Sequence, residues 1–490
     1  MKDLKKNHVY FGYLLLVCLI VTVLLSELAQ AQAPKRQDVL VKMAPHATMH
    51  TVFGQSSKQK VQSIGGGWVR AQVPQNPETL EALENHPDVE YVQPNYELKL
   101  QHTIRFENAD AQRVAALEAL AEKPASKMKS IRPDNPDFPG TSMVQNSGKD
   151  PMINKQWGMI NSGADQVWNQ HKGRPEMIVA VLDSGVDYTH EDLVPNLWRN
   201  KDEIPNNGID DDRNGYIDDI IGWDFAKNDN KPYDLATDSS MDLLRGGNPG
   251  HGTHCAGNIA ARGGNAIGIS GVAPNVKIMS LRFIGEEGAG TTAAAVAAIR
   301  YAVDNGAKIL SNSWGGEGQD DASEENLALK EAIQYAESKG VLFIAAAGNG
   351  RKGKGYDNDS DKKPIYPASY TLDNIITVAA LDSSDRLGKF SNFGARTVHI
   401  GAPGVKVFST MVADRYSDTV INLFGMKAYW DGTSMATPHV AGAAALYWSA
   451  NPNASYKDVK NAILKSARRV SGLAGKVATE GKLDIKELMK

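Results

Sequence analysis

The stretch DGTSMATPHVAG, Asp431 to Gly442, sets one serine between a Gly-Thr turn and a run of small and apolar residues. Ala436 through Trp448 reads as a buried helix, which puts Ser434 at or beside a helix N-terminus. The first backbone N–H groups there have no partner inside the helix, and the positive end of the dipole faces whatever approaches. A negative charge formed on Ser434 is stabilised at such a place. Pro438 agrees with this reading, because proline costs a helix least in its first turn. Gly432, Ala436 and Gly442 leave room for close backbone approach. Taken alone, Ser434 reads as an N-cap.

Three upstream motifs change that reading. Asp183 closes an apolar run in VAVLDSGVD, His251 lies in a Gly-rich turn, HGTHCAG, and AAAGN ends at Asn349. Four motifs in the order Asp, His, Asn, Ser resemble the subtilisin-like serine proteases (subtilases), from about Asp150 to the C-terminus. The order itself belongs to the resemblance.

From Asp150 onward MIVAVLDSG, NVKIMSLRF, AKILSNSWG, GVLFIAAAGN and NIITVAALD are short, nearly continuous apolar runs. Thr292 to Asn305 and Glu324 to Lys339 between them carry helical spacing, and another helix is expected at Tyr456 to Lys465. Strands buried on both faces with helical crossovers predict an α/β fold. The expected architecture is a subtilisin-like three-layer sandwich around a mostly parallel sheet. Functional groups then belong at the C-terminal ends of the strands, where Asp183, Asn312 to Gly315 and Asn349 all fall.

Each residue's chemistry fits the hydrolysis of an amide. The Ser434 hydroxyl is too weak an acid to ionise unaided and needs an imidazole within reach, for which His251 is the candidate. Gly250 and Gly252 let backbone and substrate come close to it; His254 reads as structural, and His190 and His439 as packing or surface histidines. Asp183 would orient His251 and stabilise the imidazolium without taking the proton itself. By resemblance Asn349 would donate its side-chain amide to the oxyanion beside the Ser434 N–H. Read without the family, it is a turn residue between two glycines. The resemblance also implies two edges, around Gly288 and Gly290 and around Ser313, Trp314 and Gly315, that hold an extended peptide as an added strand. Ile365 is expected to line an apolar pocket.

The chain has 490 residues, 42% of them hydrophobic, which allows a processed precursor or two to three domains with a large core. A net charge of −4 excludes general affinity for nucleic acid or anionic membrane. Residues 1–33 carry early lysines, the apolar run Phe11 to Leu25, and alanines at Ala29, Ala31 and Ala33, the pattern of a secretory signal peptide. An uncleaved, membrane-tethering anchor is the competing reading, against which the run is short for a span. Residues 34–100 read as a small α+β unit that looks like the inhibitory propeptide of subtilases, which would act as an intramolecular inhibitor. Residues 101–149 have linker composition, including a helical stretch at Asp110 to Lys123, and are the expected processing region before a peptidase domain at 150–490. A monomer with no stable membrane association after signal cleavage is expected.

Removing the signal peptide leaves Cys255 alone, so no internal disulfide can form and another staple is expected. Beside His254, Cys255 invites a thiol-protease reading, which its expected role as a small buried apolar residue opposes. NNGIDDDRNGYIDD, Asn206 to Asp219, supplies the candidate staple, because its crowded carboxylates repel one another unless a hard cation sits among them. The spacing places Asp210, Asp212, Asn214, the Tyr216 carbonyl and Asp218 at calcium-ligand positions around Gly215, with Asp219 or a residue from elsewhere closing the shell that Ile221 cannot. A solvated acidic loop is the bland alternative. GGNAIGISGVAP resembles the subtilase calcium loop, which implies a second site from Asp150, Asp192, Asn265 and the carbonyls of Ile267 and Ile269.

The reading is a secreted, self-processing endopeptidase acting on polypeptides. Two alternatives keep the fold: an inactive peptide-binding protein, against which the complete triad speaks, and an acyl transferase or peptide ligase. An esterase is disfavoured because no G-x-S-x-G elbow surrounds Ser434.

Overall fold

In the computed structural model, which describes residues 35–54, 61–101, 104–107, 147–318 and 326–490, the apolar runs lie side by side as strands of one sheet. They are β7 (Ile178–Asp183), β9 (Lys277–Arg282), β11 (Ile309–Asn312), β13 (Leu342–Ala346) and β15 (Ile375–Leu381). With β8 (Gly222–Asp224), β16 (Ile400–Pro403), β21 (Arg468–Arg469) and β22 (Gly481–Lys482) they form a nine-stranded sheet of order β21-β22-β16-β15-β13-β11-β7-β9-β8. Every pairing from β22 to β8 is parallel, and only β21 runs against its neighbour. Side chains alternate between the faces of a strand, so runs apolar at every position need helices on both faces.

Helices α5 (His251–Ala260) and α8 (Thr433–Ala450) share one core with Val179, Val181, Ile309, Ile344 and Val378. On α6 (Thr292–Asp304) and α7 (Leu327–Ser338), Ala295, Ile299, Leu329 and Ile333 are fully buried. Thr291 and Asn326 cap these two helices through their side chains. The helix expected at Tyr456–Lys465 is α9, opened by a Ser455–Asp458 capping box. Three short helices, α3 (Trp157–Ser162), α4 (Ser240–Leu244) and α10 (Ile485–Leu488), and the hairpin of β17 (Ser409–Met411) with β18 (Arg415–Ser417) complete this part.

Two smaller sheets flank the segment that carries Ser434 and the strands that lead to it. One has the order β10-β5-β12-β14, from β5 (Glu97–Leu100), β10 (Ala289–Thr291), β12 (Trp314–Glu317) and β14 (Ile365–Tyr366). The other has the order β19-β20-β6, from β6 (Phe106–Glu107), β19 (Thr419–Leu423) and β20 (Met426–Tyr429).

The chain divides into two compact units, and the smaller ends at Pro94. Its sheet has the order β2-β3-β1-β4, from β1 (Arg36–Met43), β2 (Val61–Gly65), β3 (Trp68–Pro74) and β4 (Val89–Pro94), with β1 antiparallel to both neighbours. Helices α1 (Met49–Phe53) and α2 (Pro77–Glu84) accompany it, α2 opened by Asn76 as cap and Pro77 in its first turn. Val39, Val41, Ala71, Val73 and Leu83 form its core. The boundary expected at residue 100 therefore differs: Glu97–Leu100 is a strand of the larger unit. The expected signal segment and the helix expected at Asp110 to Lys123 lie outside the described residues. Among the described residues, no helix is long and apolar enough to cross a membrane.

Candidate active site

The ends of β7, β11 and β13 and the starts of α5 and α8 meet around Ser434. Asp183 is the last residue of β7, fully buried, and its Oδ1 accepts from His251 Nδ1 at 2.7 Å and from the Ser184 N–H at 2.7 Å. The histidine is the first residue of α5, where a Gly-rich turn was expected. Gly250 before it has φ +92°, and Asn248 Oδ1 accepts from both the Gly250 and His251 N–H groups, so the ring enters the site at a fixed angle. A Cβ on Gly252 would stand 2.0 Å from the Gly185 carbonyl, so only glycine lets α5 approach the β7 turn this closely. Burial works to push the imidazole pKa down, but the Asp183 carboxylate outweighs it and holds His251 well above the ordinary 6.5.

Ser434 is the second residue of α8 and fully buried. Its hydroxyl donates to the Ser313 carbonyl at 2.8 Å. Its N–H donates to the Gln101 carbonyl at 3.2 Å. Asn349 follows β13, as expected, and its Oδ1 accepts from the N–H and hydroxyl of Thr433. This fixes the amide so that its Nδ2, buried, has no hydrogen-bond partner among the described residues. A buried donor without an acceptor is costly, and the Asn349 N–H donates to Gln101 Oε1 at 3.2 Å.

The residues expected to hold substrate surround a strand of the chain itself. In β5, Leu98 pairs with Gly290, Lys99 with Ala289 and Gly315, and Leu100 with Trp314. The Leu100 N–H donates to Gly288 O and the Gln101 N–H to Ser313 O. Leu98 is 2% exposed, and a small cavity lined by Tyr96, Gly316, Leu329 and Tyr366 adjoins it. Ile365 is buried in β14, and a Cβ on Gly315 would stand 2.8 Å from its Cγ2.

The other histidines and the cysteine have structural partners. His254 Nε2 meets Val407 O, not a group of the triad, and its ring stacks on Trp430. His439 Nδ1 lies 2.8 Å from Met435 O, and burial pushes its pKa down to about 4. His190 Nε2 lies 3.3 Å from the Arg415 carbonyl. Cys255 Sγ stands 3.8 Å from His251 Nδ1, on the Asp183 side of the ring, and burial pushes the thiol up, which keeps it protonated.

Sequence reasoning missed Asp234, which lies between the Asp183 and His251 motifs. It is fully buried; its Oδ1 accepts from Ser184 Oγ and Asn248 Nδ2, and its Oδ2 from the N–H and hydroxyl of Thr253. One carboxylate thus ties the turn after Asp183 to the turn before His251, and burial pushes it up to about 6. No local motif marks it, because its partners stand 14 to 50 residues away along the chain.

The acidic loop gathers its groups differently from the spacing pattern. Glu203, Asp212 and Asp219 bring carboxylate oxygens within 4.8 Å of one another. Asn214 Nδ2 donates to Asp212 and Asp219, and Asn200 Nδ2 to the same pair. The Asp210 carboxylate accepts from the N–H groups of Asn214 and Gly215, and the Asp218 carboxylate from those of Asn207 and Gly208. The Tyr216 ring packs edge-on against Trp223 and Tyr301. Glu203 and Asn200 were missed because they stand outside the motif. At the second place, Asn265 Nδ2 donates to Asp192, the Ile269 N–H donates to Asp192, the Ile267 N–H donates to Asn265 Oδ1, and Asp150 accepts from Gly264 and Asn265 N–H. These bonds run through the N–H groups of Ile267 and Ile269 and not through the carbonyls expected as ligands, and burial pushes Asp192 up to about 7.

A model of the Subtilase family, Peptidase_S8, matches residues 174–482. The chain is 37% identical over 317 residues to the Thermophilic serine proteinase of Bacillus sp. (strain AK1), covering 65% of this chain and 63% of that protein. It is 35% identical over 318 residues to Thermitase of Thermoactinomyces vulgaris, covering 65% of this chain and 90% of that protein. The solved structure of fervidolysin from Fervidobacterium pennivorans, described as a keratinolytic enzyme related to subtilisin, aligns with TM-score 0.63 at 26% identity over 93% of this chain and 61% of that one.

Proposed function

Because this chain belongs to the subtilase family, we propose that it is a serine endopeptidase whose first substrate is its own segment at Gln101. One observation carries the reading. The Gln101 carbonyl accepts from the Ser434 N–H while β5 fills the strand position between β10 and β12, so a peptide carbonyl already stands at the nucleophile.

In the reaction the Ser434 hydroxyl turns from Ser313 O toward His251, which takes its proton as Oγ bonds to the carbonyl carbon. Asp183 holds the ring by Nδ1 and balances the imidazolium. The oxyanion forms where the Ser434 N–H and Asn349 Nδ2 point, and those donors are fixed before reaction. The imidazolium then protonates the leaving amine, the bond to His102 breaks, and water hydrolyses the acyl-enzyme by the same steps. The strand Glu97–Gln101 occupies the cleft until it is released, which makes the preceding segment a temporary intramolecular inhibitor. Leu98 and Leu100, buried in this strand, give the expected apolar leaning toward substrates.

The N-terminal pattern supports export, and calcium replaces the missing disulfides. At the acidic loop, the carboxylates of Glu203, Asp212 and Asp219 offer a hard-oxygen set suited to calcium. Asp150, Asp192 and Asn265 offer the second. Bound there, the ion neutralises clustered carboxylates and joins distant segments. The test of the endopeptidase reading is hydrolysis of a peptide with the sequence of residues 97–103 by the full chain after incubation, beside Ser434→Ala. A peptide left whole by the parent protein defeats it.

A further inference from the structure

The chain is held again beyond the nucleophile, and there the hold is of another kind. Phe106 and Glu107 pair antiparallel with Ala428 and Lys427, adding β6 to the outer edge of β20. Side chains alternate along this short strand. Ile104 and Phe106 join an apolar cluster with Leu243, Ile421 and Ala428. Arg105 reaches Asp431 Oδ2 at 3.4 Å, and Glu107 accepts from Lys406 Nζ at 2.7 Å. Asp431 is buried, and its Oδ1 accepts from the Lys406 N–H, so it is fixed before any strand arrives. The β20 strand runs into Trp430, Asp431 and then Ser434 itself, so this edge is built on the segment that carries the nucleophile.

We propose that the β20 edge, with Asp431, Lys406 and the Ile421–Ala428–Leu243 wall, is a substrate-recognition site for the leaving side of the cut peptide. It selects an extended polypeptide with apolar, basic, apolar and acidic residues at the third to sixth positions after the cleaved bond, the order of Ile104 to Glu107. The inference rests on the endopeptidase reading with Gln101 at the cut. Sequence alone hid it, since Gly-rich strand edges mark the other side and nothing local marks this one. An isolated two-residue pairing is weak, so the side-chain contacts supply the selectivity.

The test uses the full chain after self-processing and three peptides: residues 97–107, residues 97–103, and residues 97–107 with Ile104→Ser and Phe106→Ser. The full sequence is expected to be cut with kcat/KM roughly tenfold or more above the other two, the difference lying in KM. A peptide with Glu107→Lys should be a poorer substrate for the parent protein and regain rate on Lys406→Glu. Equal kcat/KM for all three peptides overturns the proposal while leaving the endopeptidase reading intact; it would mean that residues 104–107 are only a fixed strand of the processed fold. If no peptide is cut, both readings fall.

Discussion

The two flanks of Ser434 grip the chain by different means. Before the nucleophile, Glu97 to Gln101 is bonded through its backbone on both edges, against β10 and β12, where glycines at 288, 290 and 315 keep side chains out of the way. After it, Phe106 and Glu107 pair on one edge only among the described residues, and two ion pairs and an apolar wall do the rest. Backbone bonding is indifferent to sequence, whereas charge and shape are not. The first flank therefore positions any extended chain, and the second discriminates among chains.

Replacing Ser434 by Ala removes the nucleophile both flanks serve, and should lower kcat about 10⁶-fold for every peptide, long or short. Asn349→Ala should cost about 10²- to 10³-fold in kcat with little change in KM, because its amide meets only the developing charge. A large KM change at constant kcat would instead put Asn349 in the grip of the first flank. Gly290→Val should lower kcat/KM for short and long peptides alike. Its Cβ would stand 2.5 Å from the Phe283 carbonyl and force β10 aside. If only long peptides suffered, the division of labour would be reversed.

The pH profile sharpens the comparison by isolating the chemistry common to both flanks. Only neutral His251 can accept the Ser434 proton, so kcat should rise as pH climbs through the histidine's pKa, on the alkaline side of 6.5. Asp183→Asn removes the charge that raises that pKa, so the rise should move to lower pH while the plateau falls. Unmoved midpoints would deny Asp183 this role. The smallest effect is expected from calcium removal, which touches neither flank. A site at a hundredfold excess over Kd contributes about 2.7 kcal/mol. Chelation should therefore lower the inactivation temperature with kcat nearly constant below it, and unchanged inactivation kinetics would remove both sites.

Much of this was legible in the sequence because each piece is local. Buried strands announce themselves as apolar runs, and a functional group directly after a run must sit at a strand end, which located Asp183 and Asn349. The α8 helix was readable from small residues packed on all sides of Ser434. Asp234, Glu203 and Gln101 were not legible for the opposite reason. Asp234 draws its partners from Ser184, Asn248 and Thr253, and Glu203 accepts from the N–H groups of Asp211, Asp212 and Asp218, so neither role exists until the chain has folded. Asp210 and Asp218 fall on calcium-ligand positions, and both carboxylates, like that of Asp212, accept from backbone N–H groups of their own loop.

The Gln101 carbonyl accepts from the Ser434 N–H, which makes the bond after Gln101 the first one exposed to attack in the proposed reaction. Intact mass and the new N-terminus, followed with time on the purified full chain and on Ser434→Ala with no other protease present, test it most directly. The parent protein should be cut between Gln101 and His102, and the variant should stay unprocessed. Equal trimming of the variant, or a first cut at a different bond, would contradict it.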